Sequence, residues 1–165
     1  VDTTKIALHV FVEIEGEMVA VCQRRGEYNF EELDRFGRVE SWRNGLQPFV
    51  AGKMKQGETS HQTLTREIAE EAGYKFFNEI FPYLENQAPL LIGPAAHWGI
   101  VIKPQEMQLV AWHSSSGGAR IIRRDEVNGI QDLKEFKKHL AVSMDMNAMF
   151  VDEKEAMIQL WPKQE

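Results

Sequence analysis

The chain has 165 residues, room for one domain with a sizeable core, and its 43% hydrophobic and 27% charged residues exclude wholesale disorder. Its 19 basic and 25 acidic residues leave a net charge of −6, which argues against a nucleic-acid polymer or an anionic membrane as partner. A single cysteine, Cys22, excludes an intramolecular disulfide and a four-cysteine zinc ribbon, so the expected setting is the reducing cytoplasm.

Along the chain, alternating apolar residues predict a hairpin of strands at 5–14 and 17–24, with Cys22 packed inside the second. Asp2, Lys5, His9 and Glu13 break up the first apolar run, which is the wrong shape for a signal peptide. Residues 26–46 read as a long exposed excursion with a helical turn at 30–35. Its Tyr28, Phe30, Phe36 and Trp42 either stack on a base or sugar of a ligand or anchor the loop to the core. Leu64, Ile68 and Ala72 recur every fourth position, Thr59 or Ser60 is available as a cap and Gly73 as a stop, so 60–72 is a helix. Further strands are expected at 90–92, 97–102, 107–112 and 120–122. Two closing helices are expected at 131–140 and 144–161, the latter capped by Ser143 and carrying Met146, Met149, Phe150, Met157, Leu160 and Trp161 on one stripe. The longest uncharged stretch, 86–102, is broken by Pro89, Gly93, Pro94 and Gly99 and falls short of a membrane span. Strands and helices in this mixed order predict one domain over 1–165, an α+β or α/β sandwich.

The segment 52–74 carries the chemistry. Glu67, Glu70 and Glu71 are three and four residues apart, so on a helix their carboxylates share a patch beside the apolar row of Leu64, Ile68 and Ala72. Three glutamates alone are ordinarily a solvated helix face. Gathered carboxylate oxygens are also what a hard cation such as Mg²⁺ selects, and such an ion grips pyrophosphate oxygens and activates water.

The surrounding residues favour the second reading. Gly52, Glu58, Arg66, Glu67, Ile68, Glu70, Glu71, Gly73 and Tyr74 match without a gap the signature of the Nudix hydrolase family. Seven of these are fixed identities, and a chance match at any start is of order one in 10⁸. The chain therefore resembles the MutT-like pyrophosphohydrolases. That resemblance implies an α/β/α sandwich with a mixed sheet and a loop-helix-loop catalytic box. It also implies cleavage of a nucleoside triphosphate, or of a nucleoside diphosphate linked to another moiety, with Mg²⁺ or Mn²⁺. Glu67, Glu70 and Glu71 match the metal-binding glutamates, the Ala51 carbonyl matches a further metal ligand, and Glu58 with Arg66 matches a pair that braces the loop against the helix. Gly52 would let backbone approach metal or phosphate closely. Lys53 and Arg24, or Arg25 in its place, resemble positions that meet substrate phosphates. The family often places an acidic base before a segment like 121–127, but 107–119 contains no acid. Glu106, Asp125 and Glu126 are the distant candidates for that base and a box glutamate is another; His97 and His113 could act near neutral pH but are expected to pack beside Trp98 and Trp112. Pro89, fifteen residues past Tyr74, resembles a mark of the ADP-ribose subfamily. The implied partner is a small nucleotide, with a homodimer left open. The alternative from another class is a non-catalytic nucleotide-binding regulatory module on the same fold.

Overall fold

The computed structural model describes residues 2–29 and 39–163. The expected helical turn at 30–35, with Phe30 and Phe36, lies outside the described residues. Strands β1 (Lys5–Ile14) and β2 (Glu17–Arg25) form the expected hairpin. Both turn residues, Glu15 and Gly16, have positive φ, the requirement of a two-residue turn whose twist suits a hairpin. Two short strands follow, β3 (Leu46–Gln47) and β4 (Val50–Lys53), then helices α1 (Ser60–Ala72) and α2 (Tyr74–Leu84). After these come β5 (Leu90–Ile92), β6 (Ala95–Ile102), β7 (Ser116–Arg123), β8 (Gln131–Asp132), β9 (Ala148–Met149) and α3 (Val151–Leu160).

Strand β1 is central to a mixed seven-stranded sheet. One of its edges runs parallel to β6, from Lys5 opposite Ala95 to Val12 opposite Ile102. Its other edge is shared: β4 covers Lys5 to Leu8, and β2 covers Val10 to Ile14. Beyond Val21, β2 leaves β1 and pairs with β3, so the sheet opens into a notch flanked by β3 and β4. The two faces of β1 feed two cores. Ile6, Leu8, Val10 and Val12 pack with Leu64, Ile68 and Ala72 of α1 and Phe76, Ile80 and Leu84 of α2. On the opposite face Phe11, Ala20 and Cys22 pack with Ile122, Met149 and Met157 of α3. Helices on both faces of a mixed sheet make the α/β sandwich. Cys22 is buried as expected, 3.9 Å from the Met157 sulfur, and burial pushes its thiol up to about 12.

Several expected elements differ. Helix α2 was unforeseen: Gly73, with φ 93, ends α1 and at once starts α2 instead of opening a loop. The 107–112 segment is no strand. Its front is a 3₁₀ turn, Pro104–Leu109, and its end serves α1, because Ala111 N–H donates to Ala72 O and His113 N–H to Glu71 O, satisfying carbonyls that a helix end leaves free. The helix at 131–140 is replaced by β8, a 3₁₀ turn and irregular chain, with Leu133 buried beside Val142 and Ala148 in a third cluster. The terminal helix begins at Val151 with Phe150 at its N-cap, not at Ser143, since Ala148 and Met149 are taken by β9.

Candidate active site

Helix α1 is started by Thr59, whose side chain accepts from Gln62 N–H while the Gln62 side chain accepts from Thr59 N–H. Just ahead of it, Glu58 gathers the loop. Its carboxylate accepts from Lys55 N–H at 2.7 Å, the Thr63 hydroxyl at 3.0 Å and Arg66 Nε at 2.7 Å. These donors, Arg66 first, hold its carboxyl down at about 2. Arg66 also donates to Glu67 at 2.7 Å, to Glu70 at 3.3 Å and to the carbonyl of Lys53 at 3.1 Å, so one guanidinium ties helix, loop and β4 together.

Glu67 projects inward and is 3% exposed, pressed against the bare Cα of Gly52. Beside it stands Glu71, which accepts from Gln23 at 3.1 Å and Gln47 at 3.4 Å and takes a backbone N–H from Ala51. In an extended strand a residue's N–H and C=O point the same way, so the Ala51 carbonyl shares this side of β4. Burial, with the Glu67 carboxylate next to it, holds the Glu71 carboxyl well above the usual carboxylate range.

The structure thus brings together two of the three glutamates. Among the described residues no three His, Cys, Asp or Glu side chains stand as a ready cation cage, because Glu70 lies on the exposed side of α1 beside Arg66. The donor set of the pair nonetheless fits a hard divalent ion: two adjoining carboxylates share one buried place, and their repulsion is what a 2+ charge relieves.

Both glutamates floor a cleft of about 1070 Å³ that includes Ala51, Gly52, Lys53 and Glu70 and runs to the start of α3. Other expected residues fall elsewhere. Arg24 is turned away, its guanidinium donating to the carbonyls of Asn44 at 2.7 Å and Met144 at 2.9 Å. Arg25, one residue on and so on the other face of the strand, lines the cleft. Glu106 is buried against α2, accepting from Lys103 N–H and the Tyr83 hydroxyl. Asp125 pairs with Arg123 at the surface, and Glu126 accepts from Arg123 N–H. None of these three lines the cleft. His97 is buried as expected, hydrogen-bonded to His9 at 2.9 Å. His113 is exposed at the cleft wall, its Nδ1 accepting from Ser115 N–H at 3.1 Å. Tyr28 and Trp42 line the cleft too, and Trp42 meets Phe150 edge-on at 5.6 Å, so that ring both anchors the loop and faces the cleft. Sequence reasoning missed Gln23 and Gln47, which hold Glu71, and the cleft carboxylates Glu40 and Glu153. Gln23 carried a signal, as a polar residue inside an apolar strand; Gln47 carried none.

The NUDIX domain model matches residues 4–149. The chain belongs to the NUDIX domain family. It is a Nudix pyrophosphohydrolase by that membership, with the box complete. No curated protein matches the chain in sequence. Solved structures similar to it include the C. elegans Ap4A hydrolase binary complex, at 12% identity over 76% of this chain and 84% of that one, TM-score 0.46. A MutT/nudix family protein from Enterococcus faecalis matches at 12% identity over 97% of this chain and 61% of that one, TM-score 0.49. The E. coli dihydroneopterin triphosphate pyrophosphohydrolase matches at 10% identity over 98% of both chains, TM-score 0.47. Likeness at this level transfers no substrate to this Nudix chain.

Proposed function

We propose that this Nudix protein is a divalent-cation-dependent hydrolase that cleaves the pyrophosphate of a nucleoside triphosphate or of a nucleoside diphosphate linked to another moiety. The observation that carries the reading is the adjoining pair Glu67 and Glu71 at the floor of an open cleft, one carboxyl held far above its usual range by burial and the other. Glu67, Glu71 and the Ala51 carbonyl would hold Mg²⁺ or Mn²⁺, which when bound neutralises pyrophosphate oxygens and makes a water more acidic.

The chain's own residues do the rest. Arg66 keeps the Glu67 carboxylate in place through the 2.7 Å bond and carries the tension back to Glu58. Gln23 and Gln47 orient Glu71. Gly52 leaves the space that Glu67 fills, and Lys53 beside it brings a cation to the phosphate side of an otherwise acidic floor. Glu106, Asp125 and Glu126 lie outside the cleft, which leaves the box glutamates, with Glu40, Glu153 and His113 along its walls, as the groups that can take a proton from water. The retained box glutamates favour turnover over a non-catalytic nucleotide-binding module. No helix among the described residues is long and apolar enough to cross a membrane. The single, buried thiol suits a reducing cytoplasm, where we place the protein as a single domain acting on small nucleotides.

The test is a panel of nucleoside triphosphates, dinucleoside polyphosphates and nucleotide sugars, including ADP-ribose, each with Mg²⁺, with Mn²⁺ and with chelator. Cleavage of at least one compound only when metal is present is expected. Tight nucleotide binding with no cleavage anywhere would establish the binding-module reading instead.

A further inference from the structure

Arg25, at the end of β2, stands between two carboxylates from different parts of the chain. Its Nη1 lies 3.9 Å from Oε1 of Glu40, in the excursion that follows β2, and its Nη2 lies 3.9 Å from Oε1 of Glu153, in the first turn of α3. Each distance is about 1 Å too long for a hydrogen bond. Among the described residues, Arg25 Nε and Glu153 Oε1 are buried with no hydrogen-bond partner. Such atoms are ordinarily paired, and the unpaired oxygen is the one that faces the guanidinium.

The three side chains have little solvent to turn to, with 16% of Arg25, 9% of Glu40 and 13% of Glu153 exposed. The guanidinium lies 5.2 Å from the Phe150 ring centroid, a flat support over which it can move towards either carboxylate. A shift of about 1 Å completes one bond and gives up the other. Glu40 Oε1 already accepts from Trp42 N–H at 3.2 Å, whereas Glu153 Oε1 has no such donor. With both carboxylates ionised, the Glu153 oxygen therefore gains more from Arg25. With a proton on Glu153 its attraction is gone, and Glu40 is left to hold the guanidinium.

That proton comes and goes near neutrality. Burial, against the attraction of Arg25, raises the Glu153 carboxyl to about 7. The other groups around it are Lys5 of β1, Cys22 of β2, Glu40 and, on its own helix, Asp152, with His97 of β6 beyond Asp152. Burial pushes the Cys22 thiol up to about 12 and holds His97 below its ordinary range, so neither follows Glu153 through neutrality.

We propose that Arg25 and Glu153 form a proton-controlled latch in the cleft wall: Arg25 braces Glu40 while Glu153 is protonated, and closes onto Glu153 once that proton is released to solvent. The proton thus decides whether the end of β2 is tied to the excursion carrying Trp42 or to the start of α3, both of which line the cleft. No substrate or metal enters this latch, so it stands or falls apart from the hydrolase reading.

Nitrogen-15 NMR of the intact protein, labelled on arginine and titrated in chelator from about pH 5.5 to about 8.5, tests it. The Arg25 Nε–H resonance is identified by its loss in Arg25→Lys. In the wild type it is expected to move with a midpoint near 7, and in Glu153→Gln to stay in place. Nuclear Overhauser contacts from Arg25 to the Glu40 methylenes should give way to contacts with those of Glu153 as pH rises through the midpoint. The movement should persist in Glu71→Gln, which removes the other raised carboxyl of the cleft. A wild-type resonance without an inflection, or with one that leaves the contacts unchanged, overturns the proposal whether or not Glu153→Gln folds. An inflection that survives in folded Glu153→Gln, or disappears in Glu71→Gln, overturns it as well.

Discussion

Adding one methyl group at Gly52 separates the site's geometry from its fold. The φ of Gly52 is not in the left-handed region, so alanine is acceptable to the backbone and any effect comes from the side chain alone. A Cβ there would lie 2.6 Å from both Cγ and Oε1 of Glu67 and nearer still to Cδ, about 1 Å short of ordinary contact. Glu67 has little freedom to retreat, being 3% exposed and held by Arg66 at 2.7 Å. Overpacking of this kind costs about 1–3 kcal/mol, which for a domain of this size lowers Tm by roughly 2–10 °C. Displacing a catalytic carboxylate by about 1 Å costs on the order of 10²-fold in rate. Gly52→Ala should therefore melt as a cooperative fold only modestly below wild type, by thermal circular dichroism, yet lose about 10²-fold in metal-dependent kcat. Wild-type turnover in a folded Gly52→Ala protein would refute the contact between Gly52 and a working Glu67.

Glu71→Gln keeps the volume and removes a charge that the site holds reluctantly; Tm should not fall, while turnover drops by more than about 10²-fold in a steady-state assay. Arg66→Ala strips the partner from buried Glu67 and the brace from Glu58, so Tm should drop by about 5 °C or more in a thermal melt, with activity lost alongside. The Glu58 carboxyl sits at about 2 in the fold against an ordinary 4.5, so the stability it contributes is full above about pH 4.5 and disappears as pH falls towards 2; acid titration of Glu58→Gln should lack that component. Glu153 has the opposite sign: burial first raises it to about 7, so stability declines as pH climbs from about 4.5 to 7, and denaturant melts of Glu153→Gln across that window should show a flatter profile.

The box was legible because its chemistry is local. Glu58, Arg66, Glu67 and Gly73 lie within one loop and one helix, where spacing in sequence translates directly into neighbourhood in space. The hairpin was legible for the same reason, its alternation of Ile6, Leu8, Val10 and Val12 feeding one core. What was missed depended on distant chain. Phe76, Ile80 and Leu84 carry a helical period, but Gly73 reads as a stop, and only Ala111 packed near it and bonded to Ala72 O reveals one helix following another. The apolar stripe from Met146 to Trp161 merged two elements, because Ala148 and Met149 have partners in β8 that no local pattern announces. Arg24 and Arg25 were indistinguishable until the strand's facing was known. Glu153 showed no pattern at all, being one acid among several at a helix start, and its place in the cleft follows from how α3 packs against β6 and β5.

The central claim is that Glu67 and Glu71 form a metal-dependent pyrophosphate-cleaving centre, and phosphorus-31 NMR of the nucleotide panel mixed with wild-type and Glu71→Gln proteins tests it most directly. The account predicts new phosphorus resonances from a cleaved pyrophosphate with wild type and Mg²⁺, with none in chelator and almost none with Glu71→Gln. Cleavage that persists undiminished in chelator, or at the wild-type rate in Glu71→Gln, would contradict it.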